Sequence, residues 1–346
     1  MKHLKAIFVV LIFAGTFGFS TAKQLIPYSI AFYNLENLFD TLNTNSTYDL
    51  EYSPQGDKRW DTKKYTAKLD NMARVISLLG RDITPLGPAV IGVAEVENRG
   101  VLEDLVNRDA LRASNLQIVH HDSPDRRGVD VALLYNPLLF TVTSQQAHKL
   151  VVPNEPNFLT RDLLVVGGLM DGEQFYIFVN HWPSRNRGER ASRYLRVAAA
   201  ELNRQVQDSI RIANPDAKIV IMGDLNDDPS NVSIRIALDA KAKQSEVPKN
   251  GLFNPFAAIH AKGVGSLAYQ GQWNLFDNII ISDNLLGNDR NTFKFWKAEI
   301  FSRDFMLTQE GRYKGYPLRT HSGNVFLNGF SDHLPVLIYL VKEFED

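Results

Sequence analysis

The chain has 346 residues, 44% hydrophobic and 22% charged, an ordinary globular composition that excludes a disordered or fibrous protein. Its formal net charge of -1 excludes a global basic field, so any attraction for polyanions must come from a local patch. The absence of cysteine excludes disulfides, zinc–thiolate sites and thiol nucleophiles.

The N-terminus carries Lys2 and Lys5, an apolar run from Ala6 to Phe19, and the small residues Ser20 and Ala22. This pattern predicts a secretory signal peptide over residues 1–22, because the apolar run is short for a membrane span. The remaining 23–346 is long enough for one sizeable core, and no second stretch is apolar for long enough to cross a bilayer.

The first strand is expected at Tyr28–Tyr33, followed by a long excursion, Thr41–Asp61. A helix is predicted over Thr62–Leu79, with Leu69, Met72, Val75, Ile76 and Leu79 on one stripe. Strands follow at Ala89–Ala94, Val129–Tyr135 and Phe175–Val179, then an amphipathic helix at Ala191–Ala213. Lys218–Met222, Asn278–Ser282 and Leu334–Val341 complete the strands, with a second excursion at Asp283–Asn328. Strands alternating with helices predict α/β layering in one domain. Most of the strand runs are continuous rather than alternating, as expected for strands covered on both faces.

Five of these runs end in acids, amides or histidines. They are Tyr33-Asn34-Leu35-Glu36, Ala94-Glu95-Val96-Glu97, Val179-Asn180-His181-Trp182, Met222-Gly223-Asp224-Leu225-Asn226 and Phe330-Ser331-Asp332-His333-Leu334-Pro335-Val336. Each alone reads as a turn or a cap. Together they place hard oxygen donors and imidazoles at strand ends, where a sheet offers one converging rim. Oxygen donors without thiols suit Mg²⁺, Mn²⁺ or Ca²⁺ better than a soft metal.

In chain order these motifs, with Asp277 ahead of its apolar strand, resemble the endonuclease/exonuclease/phosphatase superfamily of DNase-I-like enzymes, secreted bacterial members included. The resemblance runs from Asn34 to Val336. It implies a four-layered α/β sandwich, two mostly antiparallel sheets packed face to face with helices outside. It implies Glu95, Asn34 and Asp332 as metal ligands, and Asp224 as the group that orients and deprotonates the attacking water. Asn226 would hold that water or a phosphate oxygen, His333 would contact the phosphate with Asp277 as its partner, and His181 would flank the phosphate.

Two further groups are read beside this set. In Asp125-Arg126-Arg127-Gly128-Val129-Asp130, Arg127 is expected to reach a phosphate and Asp130 to orient His181. Arg185, in an arginine cluster after His181, is a second candidate for phosphate. Trp60 is either core or substrate platform, and Phe293–Lys297 either a membrane-facing hairpin or a strand. The expected function is a secreted or periplasmic, metal-dependent phosphoesterase, foremost a nuclease acting as a monomer on nucleic acid. A phosphatase or phosphodiesterase on a small or lipid-linked ester, and an inactive binding scaffold, are the alternatives.

Overall fold

The computed structural model describes residues 24–42, 50–186 and 188–344. The signal-peptide expectation lies outside these residues, as do part of the first excursion and Arg187.

Two sheets form the centre. The first has six strands in the order β14-β17-β1-β2-β4-β3, and the second seven in the order β5-β6-β7-β8-β13-β10-β9. The first sheet uses β1 (Gln24–Leu38), β2 (Val90–Val96), β3 (Gln117–His120), β4 (Asp130–Tyr135), β14 (Lys294–Ile300) and β17 (Val336–Phe344). The second uses β5 (Thr141–His148), β6 (Leu163–Met170), β7 (Glu173–His181), β8 (Lys218–Asp224), β9 (Ala240–Lys241), β10 (Leu252–Phe253) and β13 (Asp277–Ser282). Hairpins β11–β12 (Leu267–Tyr269, Gln272–Asn274) and β15–β16 (His321–Ser322, Val325–Phe326) lie outside both.

The first sheet holds one parallel pair, β1 with β2, and the second holds two, β7 with β8 and the short β9 with β10; the other pairs in both sheets are antiparallel. Between the sheets, Phe32, Val90, Leu133 and Ile338 meet Ile177, Val179, Met222 and Ile279. The opposite face of the first sheet carries Tyr33, Ile91, Val93 and Leu134 against α1 (Thr62–Leu78). The stripe of α1 repeats at helical spacing through Tyr65, Leu69, Met72 and Ile76, and Asp61 caps it by accepting from the Lys64 backbone N–H. Helix α2 (Arg99–Val106) joins α1 on this side through Val101, Leu102 and Leu105. The outer face of the second sheet, with Phe178, Ile219, Ile221 and Ile280, packs on α3 (Glu189–Ala213). The result is the expected four-layered sandwich.

Strands β3, β5, β6 and β14 are additions to the sequence expectation. The second excursion is therefore not loop throughout: its Lys294–Ile300 pairs antiparallel with β17. Phe293 is buried there and Trp296 is half exposed, so this stretch is an edge strand and not a free hairpin. Trp60 is core, fully buried with its indole N–H donating to the Phe39 carbonyl. Among the described residues no helix is long and apolar enough to cross a membrane.

Candidate active site

The site forms where the parallel pairs β1–β2 and β7–β8 end. In the second sheet, strand register sets His181 opposite Asp224 and Asp224 opposite Asp277, so three polar side chains stand in a row across β7, β8 and β13. In the first sheet the pairing of β1 with β2 slips between Asn34 and Leu38, and that of β2 with β4 slips at Glu95. Both slips are bulges, which re-aim side chains at a strand end. Glu36, Asn37, Glu95 and Asn226 all hold left-handed backbone, uncommon for residues with a Cβ. The residues just before β17 then close the rim, because the Ser331 hydroxyl donates to the Asn34 carbonyl at 2.7 Å.

Asp224 is the hub. Its Oδ2 accepts from Asn34 Nδ2 at 3.1 Å and lies 3.6 Å from His181 Nε2 and 3.9 Å from His333 Nε2. Its Oδ1 accepts from the Asn226 backbone N–H, while the Asn226 amide donates to the Trp182 carbonyl. Glu95 Oε1 lies 3.8 Å from His181 Nε2 and accepts from Arg127 Nη1 at 3.2 Å; Oε2 accepts from the Asn37 backbone N–H. Arg127 also donates to the Asn37 side chain. Asn34, Glu95, His181, Asp224, Asn226, Asp277 and His333 are thus brought together around one spot.

The two histidines sit in opposite electrostatic surroundings. Burial pushes His181 well below its usual value, and the charge of Arg161 adds to this, so its ring is neutral. Burial also opposes charge on His333, but Asp277 and Asp224 overcome it and hold the imidazolium. His333 Nδ1 meets Asp277 Oδ2 at 2.7 Å, and that oxygen also accepts from the Ser266 hydroxyl. Burial raises Asp224 to about 6, against the pull of His333. Burial raises Glu95 as well, but Arg127 and His181 more than reverse this and keep it ionised far below the usual range.

Asp332 lies at the edge, about one-third exposed, where Arg319 bonds it at 2.9 Å and reaches Glu36 at 3.2 Å. Glu36 is buried over the Lys68 ammonium and takes the Thr320 backbone N–H. Burial and the charge of Asp332 raise Glu36 to about 7. Arg185 is fully engaged: it contacts Asp227 and Asp228, donates to Asn231 and the Asn226 carbonyl, and lies over the Phe276 ring. It therefore braces the Asn226 turn. Asp130 does not orient His181. Its carboxylate instead takes His120 Nε2 at 3.0 Å and Ser123, and His181 Nδ1 has no hydrogen-bond partner.

Sequence reading missed Glu36, Asn37, Lys68, Arg161, Ser266 and Arg319. Arg161 is buried, donating to the His181 and Trp182 carbonyls and pairing with Asp125. No local pattern marks it, since it lies in a loop and acts across long sequence separations. Glu36 was legible only as a neighbour of Asn34.

A cation is compatible with this donor set. Carboxylate and amide oxygens converge without sulfur, and Asp277 Oδ1 is buried with no hydrogen-bond partner. Asp224, Asp277 and His333, all buried, bring ligand atoms within 4.8 Å of one another. A second such trio, His120, Asp122 and Asp130, lies where β3 ends and β4 begins.

The chain matches the endonuclease/exonuclease/phosphatase family over residues 29–342. Among curated proteins no significant relative was found. Solved structures with the same fold include D. rerio TDP2 complexed with a single-strand DNA product, at 14% identity and a TM-score of 0.53, covering 91% of this chain and 98% of that one. Another is the Bacteroides thetaiotaomicron mannosyl-6-phosphatase Bt3783, at 17% identity and a TM-score of 0.52, covering 90% and 99%. The family match across nearly the whole chain and the acid–histidine site at its sheet rim together place this protein in the endonuclease/exonuclease/phosphatase family, as a phosphoric ester hydrolase.

Proposed function

We propose that the protein hydrolyses phosphodiester bonds of nucleic acid with the help of a divalent cation, Mg²⁺ or in its place Mn²⁺ or Ca²⁺. The observation that carries this is the split between the two imidazoles around Asp224. Groups whose surroundings drive their pKa values apart take opposite roles in one reaction. Asp224, raised toward neutrality, suits a general base that takes a proton from water. His333, held as imidazolium by Asp277, donates to a phosphate oxygen and offsets its charge. Neutral His181 offers Nε2–H from the other side, and Asn226 fixes the turn that presents Asp224.

Glu95, Asn34 and Asp332 would hold the cation. The charged His333, already bonded to Asp277, disfavours the Asp224–Asp277–His333 trio as the ligand set. When bound, the ion would neutralise charge developing on the phosphate and leaving oxygen. Arg127, bonded to Glu95 and Asn37 in the same cluster, is the arginine we assign to a phosphate oxygen. The charged and then apolar N-terminal sequence supports action outside the cytoplasm, and a monomer suffices for the site.

The DNA-bound relative supports a polynucleotide substrate. The mannosyl-6-phosphatase relative supports a second reading, a small phosphate ester. The test is an assay of the mature protein against plasmid DNA, RNA, an aryl phosphodiester and an aryl phosphomonoester. Glu95→Gln and Asp224→Asn should each lower kcat by about 100-fold or more, the range for a lost general base or charge stabiliser. Turnover confined to the monoester would move the assignment to a phosphatase. Full activity of either variant would remove it from the chemistry.

A further inference from the structure

Helix α1 turns an apolar stripe to the first sheet, yet one buried position on it is a lysine. Lys68 is 1% exposed and shares that face with Tyr65, Leu69 and Met72. A buried ammonium is costly to desolvate, and a buried ion pair often stabilises a fold no better than apolar residues of the same size. Packing alone would therefore be served by leucine or methionine at this position. What the lysine adds is a set of bonds. Its Nζ donates to Thr320 Oγ1 at 2.6 Å and to the Phe330 carbonyl at 2.5 Å, and lies 3.9 Å from Glu36 Oε2. Asn71 of the same helix adds bonds to the Asn328 and Gly329 carbonyls.

These bonds join two segments far apart in the chain. Glu36 stands two residues after Asn34, and Phe330 two residues before Asp332. Glu36 also accepts from the Thr320 backbone N–H at 2.7 Å and from Arg319, whose Nη2 holds Asp332. On the other side of Phe330, the Ser331 hydroxyl donates to the Asn34 carbonyl and accepts from the His333 backbone N–H at 3.1 Å. One ammonium thus sits where the chain leaving Asn34 meets the chain approaching Asp332. It bonds neither of these two side chains, so any effect on them passes through Glu36, Thr320 and Phe330.

We propose that Lys68 is a positioning residue that fixes the spacing between Asn34 and Asp332, two of the residues assigned to the cation. This deepens the cation reading and rests on it. Without the ammonium, Glu36 would keep only Arg319 and Thr320, and the Phe330 carbonyl would lose its charged donor. The two segments would then be free to move apart. Groups that orient metal ligands from behind act through metal affinity.

The test uses the full mature protein with Mn²⁺ as the probe, followed by titration calorimetry without substrate. Lys68→Met removes the ammonium, and Thr320→Val removes one of its acceptors with no change of charge. Each should raise the Mn²⁺ Kd about 10-fold or more, the range for groups that orient a ligand. Val75→Ala empties core space further along the same stripe and removes none of these bonds. It should lower Tm and leave the Kd unchanged. Hydrolysis of an aryl phosphodiester by Lys68→Met, reduced at low Mn²⁺, should recover at saturating Mn²⁺. If Lys68→Met does not fold, Thr320→Val decides. A parent-like Kd in the folded variants, or an equal rise in Val75→Ala, overturns the positioning role while leaving the cation reading intact. A parent that binds no Mn²⁺ removes both.

Discussion

At the scale of single residues, His321 shows how burial alone sets a charge state. It is 6% exposed, ringed by Tyr52, Trp60 and Phe326, and neither ring nitrogen has a hydrogen-bond partner. Burial, with Lys58, Lys64 and Lys68 nearby, lowers its pKa to about 4. In the unfolded chain a histidine titrates near ~6.5. Above that pH both states are neutral and the group contributes no slope. Between about 6.5 and 4 the unfolded state binds the extra proton, so stability falls with pH. His321→Phe should remove this component. Urea midpoints at pH 7 and pH 4.5 check it: the variant should lose less stability on acidification than the parent. Equal losses would mean that the imidazole is solvated or paired.

Strand elements explain how the site is held and why only part of it was legible. The seven strands expected from apolar runs are all present; the equally buried β6 was not expected, since Gly167 and Gly168 interrupt its apolar run. Edge strands β5 and β14 escaped because their exposed faces carry polar residues, such as Ser144, Gln145, Gln146, Lys294 and Lys297. The residues ending the central strands, Asn34, Glu95, His181, Asp224 and Asp277, were legible by position. Their partners Arg161, Arg319 and Lys68 were not, since each reaches the site from another element. Arg185 was read as a phosphate ligand from its chemistry, but its neighbours Asp227 and Asp228 claim the guanidinium.

The contact between β7 and β8 gives a test at the same scale. A Cβ on Gly223 would lie 2.3 Å from the Asn180 carbonyl oxygen and 2.7 Å from its Cβ, a clash with backbone that cannot swing away. This close approach keeps His181 and Asp224 in register. Asn180 is itself pinned by Trp182 and Asn203. Gly223→Ala should cost about 1–3 kcal/mol, as overpacking does. It should also lower kcat by more than KM rises, because it separates a base from its partner without touching the rim. Thermal unfolding together with steady-state kinetics checks this. Normal kcat with lowered Tm would show that the spacing of the two strands is not critical for the chemistry.

The whole molecule carries its site on the seam between two sheets. Asn34, Glu95 and Asp332 come from the first sheet or its edge, and His181, Asp224 and Asp277 from the second. One shared core, including Phe32, Leu133, Ile338, Val179 and Met222, joins them. The first sheet is also closed by its last strand: β17 lies between β1 and β14, so the start and end of the described chain pair at its centre. Neither sheet can bury its inner face without the other, so unfolding should be one cooperative event. Two single-tryptophan variants check it, because Trp60 is buried against the first sheet and Trp182 against the second. Their fluorescence transitions in urea should coincide with each other, with far-UV circular dichroism and with loss of phosphoesterase activity. If the Trp182 transition came at a distinctly lower urea concentration, the second sheet would open alone, and activity should then vanish with it while Trp60 still reports a folded first sheet.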